Sequence, residues 1–595
     1  MIPRSPGVSR AREAARRWLP LSLRARVMRS GRRLVLAPAA AARGIAHGGF
    51  DVPTQGATVS GEVVQIIGWA MCEGQMASSV DIRLDGVPAG RARLGLGRSD
   101  LAALGPEATA SGFEFQAALP GADGTRHVIS AVAHFGGGAR LVIDGPTVGV
   151  ARRAERNLES LSLPGVPAAS GLRPGRGGGR THVLAVTHQL DLGGGQLYLQ
   201  DLLRGLARTG RFDLTVASNS DGPLRSELEE LGIGVHLLGR WPQASAVTLE
   251  SRLDELCTWV REQQVDAVLV NTVIGFPAVR VAARLGIPTL WAIHESYPIP
   301  ILWHALLGDG ADARVIAAAR DALTQADRLL FEAESTRQLY VSAAGEDRCL
   351  LVPYGVELAS LDAATASLDR TLARRRLGVP QRARLLLCMG TFEMRKSQTV
   401  LIRAFSDVAD RHPDASLVLV GDNGSDYAGH VHRLAEATGL GGRIRIVPVG
   451  PDILPWYVAA DVLVSASDVE STPRSAIEAM FFETPVLAAD VYGLSELVDD
   501  GATGWLVAAR DVDALAGGLD RALAASDADL RRMGRHARER VRRDHDSSRH
   551  VAAIARLLDD LVASRASISE DPPTDMTTAR VRSRPRQERR QPGDG

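Results

Sequence analysis

The stretch DVLVSASDVESTPRSAIEAMFFETPVLAAD, from Asp461 to Asp490, decides the fold. Its apolar run Val462-Leu463-Val464 has the length and composition of a strand buried on both faces of a parallel sheet. Polar residues follow, then Thr472-Pro473. Threonine is a good N-cap and proline fits the first helical position. Helical periodicity runs from Arg474 to Phe482, and Pro485 opens a second extended run, PVLAA. Strand, loop, helix, strand is the repeating unit of a parallel α/β sheet. Glu470 lies in the loop, and Glu478 lies eight residues on, inside the helix. Both approach the carboxyl edge of the sheet, where open α/β folds bind ligands. A helix N-terminus at that edge favours an anion, so Ser471 and Thr472 join the candidate ligand-binding residues.

The same alternation extends outward in both directions. Upstream, THVLAVTH opens a series at Thr181, and Gly193-Gly194-Gly195 turns the chain into an amphipathic helix. Glycines there let backbone amides approach a phosphate without interference from Cβ, although they lack dinucleotide-motif spacing. FDLTVAS, GVHLLG, DAVLVNT, PTLWAIHES and RLLFEAES read as further strands ending in polar residues, one of them at His294. A second series opens at Ala383 with ARLLLCMGTFEMRKSQTVLIRAF, whose loop carries Gly390, Glu393, Arg395 and Lys396. SLVLVGDN, with Gly421, and RIRIVPVG complete it, and HDSSRHVAAIARLLDDLVA makes a last amphipathic helix. The pattern implies two doubly wound lobes over 181–360 and 375–545, followed by a helix over 546–566.

Composition bounds the rest. A chain of 595 residues is too long for one core. The formal net charge of +0 offers no argument for nucleic acid. Cys72, Cys257, Cys349 and Cys388 are scattered without a C-x-x-C pair, which fits reduced thiols in a cytoplasmic protein and argues against a metal site. No apolar run approaches the roughly 20 residues of a membrane span. Of the 69 Lys and Arg residues only Lys396 is lysine; such an exception marks a place where a compact ammonium matters.

Residues 1–57 are Arg-rich, with Trp18, Leu19, Leu21, Leu23 and Val27 interspersed and Pro20 interrupting. They read either as an amphipathic segment on an anionic membrane surface, at the inner face of the cell membrane, or as a basic tail. Residues 58–150 hold short alternating runs (VVQIIGWA, VDIRLDG, FEFQAAL, HVISAVAHF, ARLVIDG), the texture of a small antiparallel β-sandwich. Trp69 and Phe113 are there either to pack the core or to stack on a sugar. Residues 151–180 form a Gly/Pro-rich linker, and 567–595 a tail with little apolar content.

Glu470-x7-Glu478 after a strand, with the EAM helix and PV beyond it, resembles the donor-site signature of GT-B glycosyltransferases, specifically the large retaining family 4. Gly390-x5-Lys396 resembles that family's diphosphate-binding loop. Gly493, Leu494 and Glu496 resemble its G-G-x-x-E tail. Thr391, Glu483 and Leu494 depart from the usual Arg, Gly and Gly, and Tyr354 stands where Asn is common. The resemblance implies a GT-B fold: two Rossmann-like lobes, here preceded by an all-β sandwich of the kind appended to bacterial glycosyltransferases. It implies an acceptor-side first lobe and a donor-side second lobe, with the last helix crossing back. It assigns Arg395 and Lys396 to the donor diphosphate, Glu470 to the donor sugar, Glu478 to the ribose and His294 to the sugar from the opposite lobe. Gly193, Gly194, Gly195, Gly390 and Gly421 would then line the donor. The expected reaction is retaining transfer from a UDP- or GDP-linked sugar to a glycan or lipid-linked acceptor in bacterial surface polysaccharide synthesis, with no cofactor and no metal. A sugar-nucleotide epimerase, or a non-catalytic glycan-binding protein using the sandwich, is the alternative.

Overall fold

The computed structural model describes residues 46–150 and 179–570 except 60–62, 73–74, 97–109, 120–124, 244 and 309–310. The basic N-terminal stretch before Ala46, the linker from 151 to 178 and the tail after Glu570 lie outside the described residues.

The N-terminal part is a two-sheet sandwich, antiparallel except where Thr58–Val59 pairs parallel to Arg140–Val150. One sheet orders the strands Ala46–Val52, Val63–Cys72, Gly112–Ala118 and Arg93–Leu96; the other orders Thr58–Val59, Arg140–Val150, Arg126–His134, Ser79–Leu84 and Val87–Arg91. Burial alternates residue by residue along Val63–Cys72 and Arg126–His134, as a half-buried strand requires. The first strand begins at Ala46, inside the segment read from sequence as the basic N-terminal region. Its sequence, AHGGFDV, hides the alternation behind glycines. A Cβ on Gly48 would collide with Ile143 and Leu141 across the core. Phe113 is fully buried, edge-on to Phe50 at 5.9 Å, so it packs the core.

Two parallel sheets follow. The first lobe has seven strands ordered Gly234–Leu237, Phe212–Ser218, Thr181–Thr187, Ala267–Asn271, Thr289–Ala292, Arg328–Phe331, Cys349–Leu351. The second has six, ordered Ile444–Pro448, Ala415–Asp422, Arg384–Met389, Val462–Ser465, Val486–Ala489, Gly504–Val507. Central strands such as Ala267–Asn271 are buried throughout, because helices cover both faces. In each lobe the strand order reverses beside its first strand: between Thr181–Thr187 and Ala267–Asn271, and between Arg384–Met389 and Val462–Ser465. These are the topological switch points, where loops leave in opposite directions and open a crevice.

Four helices matter for the site: α1 (Gly194–Arg208), α2 (Gln398–Val408), α3 (Arg474–Phe481) and α4 (Ser547–Glu570). The last, α4, crosses back to the first lobe and lies on α1, where Val551 occupies the space a Cβ on Gly205 would need. Lobe contacts are also polar. The Glu496 carboxylate of the second lobe accepts from the amides of Glu334 (2.9 Å) and Ser335 (2.6 Å) at the start of a first-lobe helix, a charge-assisted N-cap supplied from across the cleft. The sandwich shares one continuous apolar core with the second lobe. Among the described residues no helix is long and apolar enough to cross a membrane.

Candidate functional site

The loops that leave the two switch points carry the sequence-derived residues in two groups, Gly390, Arg395, Lys396, Gly421 and Glu470 in the second lobe and Gly193, Gly195 and His294 in the first. In the second lobe, Gly390 follows Arg384–Met389 and Gly421 ends the neighbouring strand. They lie back to back: Gly390 has φ +148° and Gly421 φ +128°, and a Cβ on Gly421 would strike the Gly390 carbonyl. Only glycine permits both the conformation and the approach. The loop then returns, so that the Lys396 ammonium lies about 3.9 Å from where a Cβ on Gly390 would stand. This is what the Gly-x5-Lys spacing accomplishes.

Glu470 leaves the strand Val462–Ser465 and meets that cation. Its Oε1 pairs with Lys396 Nζ, receives Ser467 Oγ at 3.1 Å and faces Arg395 Nη1 at 3.5 Å. Glu470 is only 8% exposed. Burial alone would raise its pKa, but Lys396 and Arg395 outweigh burial and hold it below the ordinary carboxylate value. Arg395 also binds Glu393 at 2.7 Å. Glu470 and Glu393 keep the guanidinium firmly charged against the opposing effect of burial.

Helix α3 begins at Arg474, where the periodicity begins, but Thr472 does not cap it and Pro473 is not its first residue: Pro473 is the N-cap, with no side-chain cap bond. The extended φ/ψ that Thr472 was expected to supply belongs to Pro473, whose fixed ring suits it. Ser471 is buried at this turn, and its carbonyl packs where a Cβ on Gly493 would be. Glu478, nearly fully buried, does not face Lys396. Its Oε1 accepts from Arg474 Nε at 2.6 Å. Arg474 in turn pairs with Asp201 of α1 and donates to Tyr354 Oη at 3.0 Å. Arg474, Asp201 and Tyr354 therefore join the lobes beside the two carboxylates. The sequence assigns none of the three a role, because their contacts cross 120 to 273 residues.

In the first lobe, Gly193 is the N-cap of α1 and Gly195 packs against His294 and Thr272, with a Cβ there meeting each at 3.4 Å. Asn271 fixes this corner. Its Nδ2 donates to Gly195 O at 2.9 Å, so its Oδ1 accepts from His294 Nε2, also at 2.9 Å. His294 Nδ1 lies 3.1 Å from the Glu332 carboxylate. Both ring nitrogens thus face acceptors, which suits the imidazolium. Burial pushes the pKa down, but Glu332 and Glu295 more than reverse it and the net shift is upward. Glu332 and Asn271 carry no motif of their own and were not expected.

Two positions explain the departures from the family pattern. Counting back from Glu496, the glycine pair of G-G-x-x-E falls on Tyr492 and Gly493, so Tyr492 is the substitution and not Leu494. Tyr492 has φ +40° and Glu483 φ +61°. Each keeps a glycine-type conformation with a larger residue.

The second lobe receives a further support from the sandwich. Arg93 Nε lies 2.7 Å from Asp468 Oδ2 and its Nη1 2.7 Å from Glu114. Asp468 Oδ1 accepts from Ser397 Oγ at 2.9 Å, and its amide donates to Arg395 O at 2.7 Å. Asp468 therefore ties the Lys396 loop to the Glu470 loop, and Arg93 neutralises it. Among the described residues no cluster of three His, Cys, Asp or Glu could hold a metal.

Residues 193–355 match the family described as Glycosyl transferase 4-like domain, and residues 369–540 match Glycosyl transferases group 1. D-inositol 3-phosphate glycosyltransferase 2 of Catenulispora acidiphila is 34% identical over 252 residues, covering 40% of this chain and 58% of that protein. The D-inositol 3-phosphate glycosyltransferase of Corynebacterium jeikeium is 27% identical over 376 residues, covering 58% and 87%. The first of these matches thus spans little more than half of the relative's length. Among solved structures, HepE of Anabaena in complex with UDP and glucose superposes with a TM-score of 0.54 at 19% identity, over 64% of this chain and 100% of that one. Residues 193–355 and 369–540 thus belong to glycosyltransferase families, and the two lobes that they form have the GT-B fold.

Proposed function

We propose that the chain transfers a sugar, with retention of anomeric configuration and without a metal, from a UDP- or GDP-linked donor to a glycan or lipid-linked acceptor in bacterial surface polysaccharide synthesis. One observation carries the reading: Lys396 and Arg395 converge on buried Glu470 above Gly390, at the switch point of the second sheet. Cleaving the anomeric bond sends its electron pair to a phosphate oxygen, so charge grows on the departing diphosphate. Cations already oriented by Glu470 and Glu393 stabilise that charge without reorganising, which is usually the largest catalytic term. Glu470 would hold a donor-sugar hydroxyl while remaining ionised. Glu478 would accept from the ribose, whose hydroxyls compete for the oxygen that Arg474 now occupies. His294, whose pKa Glu332 and Glu295 raise against burial, would contact the sugar from the opposite lobe. The acceptor oxygen attacks the face the phosphate leaves, and the departing phosphate takes its proton. Closure of the lobes through Asp201, Arg474 and Glu496 would exclude water.

The curated relatives favour a second reading of the acceptor, because those proteins are named D-inositol 3-phosphate glycosyltransferases. The test is nucleoside diphosphate release from UDP-, GDP- and ADP-sugars, with and without EDTA, offering an inositol phosphate and oligosaccharide acceptors in parallel. Release from one donor, indifferent to EDTA and lost in Lys396→Ala and Glu478→Gln, is expected. Neither release nor nucleotide binding would overturn the proposal in favour of a glycan-binding protein. Turnover of the donor alone into an epimer would make it an epimerase.

A further inference from the structure

A cleft of about 970 Å³ lies where the sandwich meets both lobes. Three parts of the chain wall it: strands of the sandwich, the first-lobe segment from Tyr297 to Gly308, and Val469 with Tyr492 and Arg510 of the second lobe. Val469 is the residue before Glu470, so a wall of this cleft is one residue from the proposed donor site.

The chemistry of the walls is specific. Arg93 and Arg510 reach the cleft, but both are engaged with Asp468, and Arg93 also with Glu114. No cation is left over for a phosphate or carboxylate. An alkyl chain fits no better. Gln65 and Gln116 are register partners on adjacent strands and both line the cleft. Their side-chain amides make no hydrogen bond among the described residues. The same holds for the hydroxyls of Tyr297 and Tyr492. Unpaired donors and acceptors facing a concave surface would be desolvated at a cost by an apolar occupant. Phe115, Tyr297 and Tyr492 add three partly buried rings to the same walls. Aromatic faces for C–H surfaces and paired planar amides for vicinal hydroxyls together match one ligand class, an uncharged saccharide. The volume is at the upper end of the range for small-ligand sites, about 300–1,000 Å³, and accommodates several sugar units. Tyr492 reaches the cleft by holding φ +40°, and strain of that kind concentrates at ligand sites.

We propose that this cleft binds non-reacting, uncharged sugar units of the acceptor, so that the sandwich supplies part of the acceptor site. The inference rests on the reading of the acceptor as a glycan. Contacts so far from the reacting oxygen would be used to orient it, and they would make an isolated inositol phosphate a poor acceptor.

The full chain and the variants Gln116→Ala, Phe115→Ala and Tyr492→Ala are to be probed on a printed array of neutral oligosaccharides, with UDP and GDP binding measured by calorimetry on the same preparations. The expected result is array binding by the parent that falls at least tenfold in each variant, with nucleotide affinity unchanged. Gln116→Ala removes only a partly exposed amide, so its fold is not at risk. Array binding that survives all three changes overturns the proposal, as does a parent that binds nucleotide but no saccharide. A parent that binds neither sinks the glycosyltransferase reading itself.

Discussion

Replacing Arg93 with methionine isolates what the sandwich contributes to catalysis. Methionine retains much of the apolar stem and deletes the charge. Asp468, whose side chain is 1% exposed, then loses its closest cation. Stripping a buried charge of its partner costs about 3–5 kcal/mol where nothing replaces it. Here Ser397 Oγ remains at 2.9 Å and Arg510 Nε stands at 3.6 Å, and Arg93 is itself 17% exposed. These lower the expectation to about 2 kcal/mol, the middle of the range for coupled neighbours. Because Asp468 ties together the loops carrying Lys396 and Glu470, much of that cost should appear as lost turnover. Two kcal/mol in the barrier is roughly thirtyfold in rate.

The assay is a double-mutant cycle of Arg93→Met and Asp468→Asn, read as kcat/KM for nucleoside diphosphate release. Asparagine keeps the size of Asp468 and can still accept from Ser397, so the double variant should be far less impaired than the sum of the singles. A coupling below about 0.5 kcal/mol, the level at which independent sites simply add, would refute the reasoning. So would an Arg93→Met protein with normal turnover but lowered thermal stability, which would make the pair a fastener between domains and nothing more.

Lys396→Met should lower kcat by about 10²–10³-fold, the usual cost of one oriented donor to a developing charge; steady-state kinetics at saturating donor measures it. Gly421→Ala should abolish donor binding or folding, because its Cβ meets the Gly390 carbonyl at φ +128°; calorimetry with UDP on whatever folds would show it. The pH dependence of stability has a defined sign. Glu470 lies below its ordinary 4.5, so its contribution is full above 4.5 and lost as pH falls through the lowered value. His294 lies above its ordinary 6.5, so its contribution is full below 6.5 and lost as pH rises through the raised value. Relative to wild type, His294→Gln should be most destabilised near pH 6 and recover in alkali, as thermal melts across pH would record. Asp201→Asn should weaken closure and raise the donor KM more than it lowers kcat.

What was legible in the sequence was local. Strand Val462–Ser465, helix α3 and the Gly390–Lys396 loop each occupy a few consecutive residues, so periodicity and spacing were enough. Lys396 and Glu470 could each be assigned to the donor through a family pattern, and Lys396 also as a single anomalous lysine, but their pairing with each other could not. The first sandwich strand escaped because Gly48 and Gly49 leave the alternation without side chains to read. The partners of the site residues escaped for a different reason. Arg93 is 375 residues from Asp468 and Asp201 is 273 from Arg474, and nothing in either neighbourhood marks them. The departure in G-G-x-x-E was assigned to Leu494, although the spacing from Glu496 puts it at Tyr492, and the positive φ of Tyr492 agrees with the spacing.

The electrostatics of the centre follow from one requirement. A carboxylate as buried as Glu470 survives ionised only beside cations, and Lys396 and Arg395 supply them. In the proposed reaction the same cations must also be available to a diphosphate. Were they to neutralise Glu470 alone, the donor would have to break a buried pair to bind. Two cations around one buried carboxylate, with Glu393 balancing the outer face of Arg395, leave a site that is near neutral when empty and has ammonium and guanidinium donors already aimed at the incoming charge. The second carboxylate is handled oppositely. Glu478 is given its own arginine, Arg474, and that arginine is shared with Asp201 of the other lobe. Under the proposed reaction, charge at Glu470 would serve the chemistry and charge at Glu478 the geometry of closure. A Glu470→Gln protein should accordingly bind UDP with little loss but turn over poorly, whereas Glu478→Gln should weaken the lobe contact and lose nucleotide affinity as well. If the two variants lost UDP binding and turnover in the same proportion, this division of roles would be wrong.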